Sequence, residues 1–326
     1  MSGISIALQA SLLAFAICSI TLAVLSRFPY FLIDIPNQRS LHSNPIPRTG
    51  GIGIILGALI SAGLLLPEYL FFVVCDFAIA SISLVDDWRR LSALSRFAAQ
   101  SIIAGAFCFF GFGQIFSAEG LFILLAIVWM ANLFNFMDGS DGLAGGMAFF
   151  GFATCAIGAI FGGNSSLFIL CICISSATLP FLFLNFHPAK IFMGDVGAVT
   201  LGFSAAAIGT IGWRDGVWSP FFPVFVFSPF IADASLTLLQ RILARKRFWQ
   251  PHREHYFQKL VQMGWGHRKT ALAEYVVMGI ASLLAVSTAL LDGVFQLIAI
   301  TIWGAVLITI AHFIDVKWKK LGDPLK

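Results

Sequence analysis

Apolar residues run in long, nearly unbroken stretches along this chain, and the polar residues collect in the gaps between them. A helix needs roughly 17–25 such residues to cross the hydrocarbon core of a bilayer. Stretches of that kind fall at roughly 4–26, 50–66, 69–85, 97–113, 120–137, 143–162, 167–184, 196–212, 220–240, 271–290 and 294–313. They predict an all-α polytopic membrane protein, a bundle of about 11 (alternatively 10) transmembrane helices in a single domain over residues 1–326. The lower count arises because stretches rich in Gly and Pro can form broken or half-membrane segments.

Composition narrows the class. Of the 326 residues 59% are hydrophobic and 11% charged, whereas a soluble domain averages about 25% charged. The charged faces that would wrap a large soluble core are missing. The first 26 residues carry no charged side chain and no credible cleavage site, so the N-terminus reads as a retained first span. All six cysteines lie inside apolar stretches without a CxxC pair, which makes them small buried hydrophobes and not metal or redox groups.

Charge placement supplies orientation. The gaps at 27–49, 86–96, 138–142, 185–195 and 241–270, with the tail 314–326, fall on one side of the predicted bundle and hold 19 of the 20 Lys and Arg residues; Arg214 lies opposite. Positive charge marks the cytoplasmic side. The protein is therefore expected in a bacterial cytoplasmic (inner) membrane, multi-pass, with its active face in the cytoplasm.

The chemistry sits in the same gaps. Asn132-Leu-Phe-Asn135-Phe-Met-Asp138-Gly-Ser-Asp141-Gly places two amides and two carboxylates at the first polar break after an apolar stretch. Carboxylates at i and i+3 lie close enough to share a cation. Asp86 and Asp87 are adjacent at a membrane boundary, where they repel each other unless a cation compensates. Asp195, bracketed by Gly194 and Gly197, opens another span, and capping that helix would by itself explain it. In the first loop Arg39, His42 and Arg48 can contact anionic groups, and the Pro-Arg-Thr-Gly-Gly turn lets backbone N–H groups approach phosphate. Asp233 lies inside an apolar stretch, where a carboxylate usually faces the bundle interior. The longest cytoplasmic loop, 241–270, carries a basic run and the pair His252 and His255, whose i,i+3 spacing would place them on one helical face. Oxygen ligands suit Mg2+, and cations with glycine turns suit phosphates, so the constellation favours transfer at a pyrophosphate near a lipid interface.

At this breadth the chain resembles a known family. The motifs DIPNQRSLHSNPIPRTGGIGI, DDWRR, NLFNFMDGSDGLAGG, NFHPAKIFMGDVGA and HREHYFQKL are similar to those of the polyprenyl-phosphate N-acetylhexosamine-1-phosphate transferases (glycosyltransferase family 4). That family includes the phospho-N-acetylmuramoyl-pentapeptide transferase of peptidoglycan synthesis and the transferases initiating O-antigen. The resemblance implies a ten- or eleven-helix bundle with a cytoplasmic catalytic cleft. It implies transfer of a sugar 1-phosphate from a UDP-N-acetyl-sugar to undecaprenyl phosphate, with release of UMP and with Mg2+, or Mn2+ in its place. By motif, Asp86 and Asp87 correspond to the paired catalytic aspartates and Asp195 to a catalytic, magnesium-binding residue, with Asp138 and Asp141 in support of the metal. Asn135, Asp138, Asp141, Asn185, His255, Arg39 and Arg48 correspond to substrate-binding positions.

Two departures mark the branch. Arg39 is followed by Ser40 where Arg-Lys is frequent, and the last loop reads His-Arg-Glu-His where a fuller histidine cluster is usual. Both point away from the peptidoglycan enzyme and towards initiation of O-antigen or another surface glycan. N-acetylglucosamine, FucNAc and QuiNAc stand as alternative sugars, and direct attack stands beside a covalent aspartyl route. The expected partners are the UDP-sugar, the polyprenyl phosphate, membrane lipids and, since dimers occur in the family, a second copy; nucleic acid is not among them. The competing class is a transporter or lipid carrier that uses intramembrane acids for ion coupling.

Overall fold

The computed structural model describes residues 3–28, 31–36, 45–89, 91–113, 116–247, 250 and 252–321. Each apolar stretch becomes a helix: α1 (Gly3–Leu25), α2 (Gly50–Leu65), α3 (Leu70–Arg89), α4 (Ala93–Phe112), α5 (Ala118–Met137), α6 (Leu143–Phe161), α7 (Ser165–Asn185), α8 (Gly194–Arg214) and α9 (Phe221–Leu243). A short α10 (Tyr256–Leu260) then precedes α11 (Gly266–Thr288) and α12 (Gly293–Lys320). Strands β1 (Ile33–Asp34) and β2 (Ile46–Pro47) pair antiparallel in the first loop. The protein is an all-α polytopic membrane protein.

The two predicted counts meet in α2. Ten helices among the described residues are long and apolar enough to cross a membrane, and Gly50–Leu65 is a shorter apolar one. Its 16 residues rise only about 24 Å, less than the ~30 Å hydrocarbon core. Two boundaries shift furthest. Helix α11 begins at Gly266 and not 271, and α12 continues to Lys320 beyond the predicted 313. Lys317, Lys319 and Lys320 fill its last turn, where cations complement the partial negative charge of a helix C-terminus.

Helix α8 is the hub. It packs against α2, α3 and α5, and it is buried over nearly its whole length, whereas α12 is largely exposed. Such central burial requires small residues, and the crossing with α2 shows why. A Cβ on Gly51 would sit 2.3 Å from the Gly197 nitrogen, and one on Gly197 would sit 2.7 Å from the Gly51 Cα. The absence of both lets the two backbones touch. Gly50 N–H then donates to Phe192 O at 2.9 Å and Gly51 N–H to Met193 O at 2.8 Å, while Phe192 N–H donates to Pro47 O at 2.8 Å. These bonds fasten the first loop, with Arg48, to the start of α8, where Asp195 stands.

Candidate active site

Asp195, in the first turn of α8, lies between two guanidiniums. Arg48 Nη2 is 3.2 Å from Asp195 Oδ1 and 3.2 Å from Asp87 Oδ1. Arg96 Nη1 is 3.4 Å from Asp195 Oδ2 and 3.1 Å from Asp86 Oδ2. The first of the paired aspartates also closes the turn from α3 to α4, because Leu91 N–H donates to Asp86 Oδ1 at 2.7 Å. The second, whose side chain is only 1% exposed, accepts from Val196 N–H at 3.2 Å and from Asp195 N–H. Asp87 thus caps α8 from a neighbouring helix, using the unsatisfied donors and positive end of its first turn. Gly194 makes this approach sterically feasible: its φ is +75°, and a Cβ there would meet Arg48 O at 2.8 Å and Asp87 Oδ2 at 3.0 Å.

Asp138 completes this acidic group. Burial pushes its carboxyl up to about 7; Arg48 and a hydrogen bond from Gly194 pull it down, while Asp195 and Asp87 push it further up. Burial would lower the Arg48 guanidinium, but Asp87, Asp195, Asp34 and Asp138 outweigh it and raise it. Four carboxylates therefore face two guanidiniums, Arg48 and Arg96, and the Asp86 and Asp195 carboxyls lie within hydrogen-bond reach of each other. Such a group is short of positive charge.

Beneath it a narrow cleft runs into the bundle between α3, α4, α5 and α8. Asp86, Arg96, Asn135 and Asn132 line its polar part, and Ile79, Ile82, Phe136 and Val199 its apolar part. Gln100 Oε1 accepts from Asn132 Nδ2 at 2.7 Å along the wall. The charged side chains Asp86 and Arg96 stand at the membrane boundary, and uncharged ones line the cleft below, both polar (Ser83, Gln100, Asn132) and apolar (Ile79, Ile82, Val199).

The remaining predicted residues fall elsewhere. Asp138 and Asp141, paired by their spacing, are held by different partners. Asp141 Oδ2 is 2.7 Å from His187 Nδ1 and accepts from Ala189 N–H at 3.1 Å, and the rings of His187 and His267 stack at 5.7 Å. His267 Nδ1 lies 2.9 Å from Ser140 Oγ and 3.8 Å from Asp141 Oδ1. His187 and His267 thus flank Asp141, whereas Arg48 faces Asp195 and Asp138. Asn185 is buried and ties two loops: its Oδ1 accepts from Gly142 N–H and its Nδ2 donates to Ile191 O, both at 2.9 Å. His252 and His255 do not share a helical face. Both precede α10, and their rings stack at 5.0 Å. Burial pushes His252 down to about 4, with His255 and Arg241 in the same direction. Arg39 and His42 lie outside the described residues.

Arg96 went unrecognised from sequence. Its only signal is its place in the first turn of α4, behind the Ser92 cap whose Oγ accepts from Ser95 N–H. The Asp233 carboxylate, expected to face the bundle interior, does so and meets His255 there, 3.0 Å from its Nδ1.

The donor set suits a hard cation. It offers oxygens only, and carboxylates outnumber guanidiniums. Among the described residues no three His, Cys, Asp or Glu side chains form a closed cage. Mg2+ needs none, because it usually takes one or two carboxylates and completes its shell with water and substrate phosphates.

These features define a membrane-embedded enzyme site for phosphorylated substrates, and comparison with known proteins gives its family. The glycosyl transferase family 4 profile matches residues 69–212, from α3 to α8. A probable undecaprenyl-phosphate N-acetylglucosaminyl 1-phosphate transferase of Bacillus subtilis is 30% identical over 309 residues, covering 88% of this chain and 86% of its own. A decaprenyl-phosphate N-acetylglucosaminephosphotransferase of Mycobacterium tuberculosis H37Rv is 31% identical, covering 78% and 75%. The undecaprenyl-phosphate alpha-N-acetylglucosaminyl 1-phosphate transferase of Escherichia coli K12 is 29% identical, covering 80% and 76%. The chain belongs to glycosyl transferase family 4, among its polyprenyl-phosphate hexosamine-1-phosphate transferases.

Proposed function

We propose that the chain transfers a sugar 1-phosphate from a UDP-N-acetyl-sugar to undecaprenyl phosphate at the cytoplasmic face of a bacterial inner membrane, releasing UMP and starting lipid-linked surface-glycan assembly. The observation that carries this reading is the carboxylate–guanidinium group at the head of a cleft that continues below it between uncharged side chains. A lipid phosphate requires that combination, since its head must meet charge while its tail stays in hydrocarbon.

An oxygen of the lipid phosphate attacks the β-phosphorus of the UDP-sugar. The bond from that phosphorus to the bridging oxygen breaks, and UMP leaves with the electron pair. A phosphate monoester has a second pKa of about 6, so the acceptor is already largely dianionic at neutral pH. Asp86 then has little proton to remove and acts by holding Arg96, while Asp87 fixes the start of α8. Arg96 faces the cleft and orients the acceptor phosphate; Arg48 stands on the other side of Asp195. Mg2+ bound by Asp195 and Asp138 would offset charge on the phosphoryl oxygens as the leaving bond breaks. Direct attack needs no aspartyl intermediate. The donor to test first is UDP-N-acetylglucosamine, the sugar in the names of the three relatives.

The test is UMP release by purified protein in lipid. Release is expected with UDP-N-acetylglucosamine only when polyprenyl phosphate and Mg2+ are both present, and EDTA should stop it. Asp195→Asn should lower turnover roughly 100-fold or more while the protein still elutes as a folded species. Turnover near normal in that variant would remove Asp195 from the metal role. Transport of substrate into vesicles without nucleotide cleavage would replace the enzyme reading by the carrier.

A further inference from the structure

Gln100 lies inside a membrane-spanning helix, and the transfer mechanism above does not use it. It follows Arg96 by one turn on the same face of α4, about 6 Å deeper, and both side chains line the cleft. Ser83 lines it from α3, one turn before Asp86. Gln100 is 7% and Ser83 5% exposed. Polar groups buried to this degree normally find hydrogen-bond partners within the protein, and these two leave donors over.

The sense of the Gln100 amide follows from its neighbour. Asn132 Nδ2 donates to Val128 O at 2.8 Å and to Gln100 Oε1 at 2.7 Å. A backbone carbonyl only accepts, so the Asn132 nitrogen must face it. The second hydrogen on that nitrogen then requires an oxygen from Gln100, which turns the Gln100 NH2 group the other way. Its two N–H donors have no partner among the described residues, and neither has the Ser83 hydroxyl. Unlike Ser61 Oγ and Thr200 Oγ1, these atoms are not sealed inside the protein, and the cleft is the space their residues line.

The surroundings indicate what such donors would meet. Arg96 stands above them, and Ile79, Ile82 and Val199 border the same cleft. A head rich in acceptor oxygens on an apolar body fits this setting, whereas a free nucleotide-sugar would have to leave water to reach it. Uncharged donors also hold a phosphate dianion without neutralising the charge that makes it a nucleophile.

We infer that Gln100 is an acceptor-binding residue: its N–H groups, with the Ser83 hydroxyl, take oxygens of the polyprenyl phosphate from the membrane side while Arg96 meets it from the charged side. Asn132 is the positioning residue that keeps the amide turned this way. The inference rests on the transferase reading for its ligand. An amide pair that only ties α4 to α5 would need the Gln100 oxygen alone, and the two roles separate experimentally.

Gln100→Glu keeps an oxygen for Asn132 and removes both donors; Gln100→Met keeps the length and removes the tie as well. In each, KM for the polyprenyl phosphate should rise roughly 10- to 100-fold, the loss of a hydrogen bond to a charged group. KM for the UDP-sugar should stay within about twofold. An unchanged acceptor KM in Gln100→Glu would overturn the inference and leave the pair a tie between helices. A selective rise in the donor's KM would overturn it in favour of the sugar. Asn132→Asp puts an acceptor where the donor stood, so the Gln100 amide should turn over and the acceptor's KM should rise again. In a Gln100→Met background the same change should add less than about twofold, and additive losses would remove Asn132 from its role. A second measurement needs no turnover. Undecaprenyl phosphate without nucleotide should raise the melting temperature of the parent protein more than undecaprenol does. Gln100→Glu should lose most of that gain, and an undiminished gain would refute the subsite. Absence of turnover with any UDP-sugar, beside a phosphate-dependent gain that Gln100→Glu abolishes, would instead count against the transferase reading and leave the subsite standing.

Discussion

At the residue scale the decisive feature is the position of Asp195 between two arginines that come from opposite directions. Arg48 arrives on a loop bonded to the start of α8, and Arg96 on the first turn of α4. They are not equivalent. Arg48 also holds Asp87, which caps α8, whereas Arg96 holds Asp86 and lines the cleft. Arg96→Ala is therefore expected to raise KM for polyprenyl phosphate and lower turnover, together roughly 10- to 100-fold, since a bond to a charged group is removed. KM for the UDP-sugar should move little, and steady-state kinetics with each substrate varied in turn checks this. Arg96→Lys should recover only part of the loss: it keeps a single nitrogen like the Nη1 that meets both Asp86 and Asp195, but loses the planar group's remaining donors to a phosphate. A selective rise in the donor's KM would instead assign Arg96 to the nucleotide.

At the element scale, the site depends on how closely α2 and α8 cross. Gly51→Ala places a methyl against the backbone of Gly197, at 2.3 Å from its nitrogen, so a main chain must move. Overpacking of this kind costs about 1–3 kcal/mol, and here it also pulls Arg48 from Asp195. The variant should lose most of its activity and several degrees of thermal stability. Gly63→Ala in the same helix meets nothing nearer than 3.7 Å and serves as the control; equal damage from both would make the crossing irrelevant. This scale also marks where sequence reading succeeds and stops. The spans were legible because a helix that crosses a bilayer must be apolar along its length, and Asp86, Asp87, Asp138 and Asp195 were legible because each interrupts such a helix at its end. Arg96 was not, since an Arg after a positively charged loop looks like ordinary topology charge. The partner of Asp233 was equally hidden. It lies 22 residues away, across a loop whose path depends on packing of α9, α10 and α12. The partners of Asp141 were hidden in the same way: His187 reaches it from the loop before α8 and His267 from the start of α11.

At the scale of the whole molecule, the proposal depends on which side of the membrane holds the acidic group, because UDP-sugars are cytoplasmic donors. Charge placement gives the direction, with Arg214 alone on the far side and paired there with Glu119 at 2.6 Å. The six native cysteines offer a clean way to measure it. All are free and buried, and a buried thiol in apolar surroundings reacts poorly, so an introduced cysteine should label against little background. Gln250 is exposed on the face of the acidic group, and Ser165 is exposed at the opposite end, where α7 begins. In intact cells a membrane-impermeant maleimide should label Ser165→Cys and spare Gln250→Cys. After permeabilisation both should react. Labelling of Gln250→Cys alone in intact cells would turn the molecule over and place Asp195 outside, where no nucleotide-sugar could reach it. The transferase reading would then fail, however well the side chains fit a phosphate, because a site performs its chemistry only on the side of the membrane where its substrate is found.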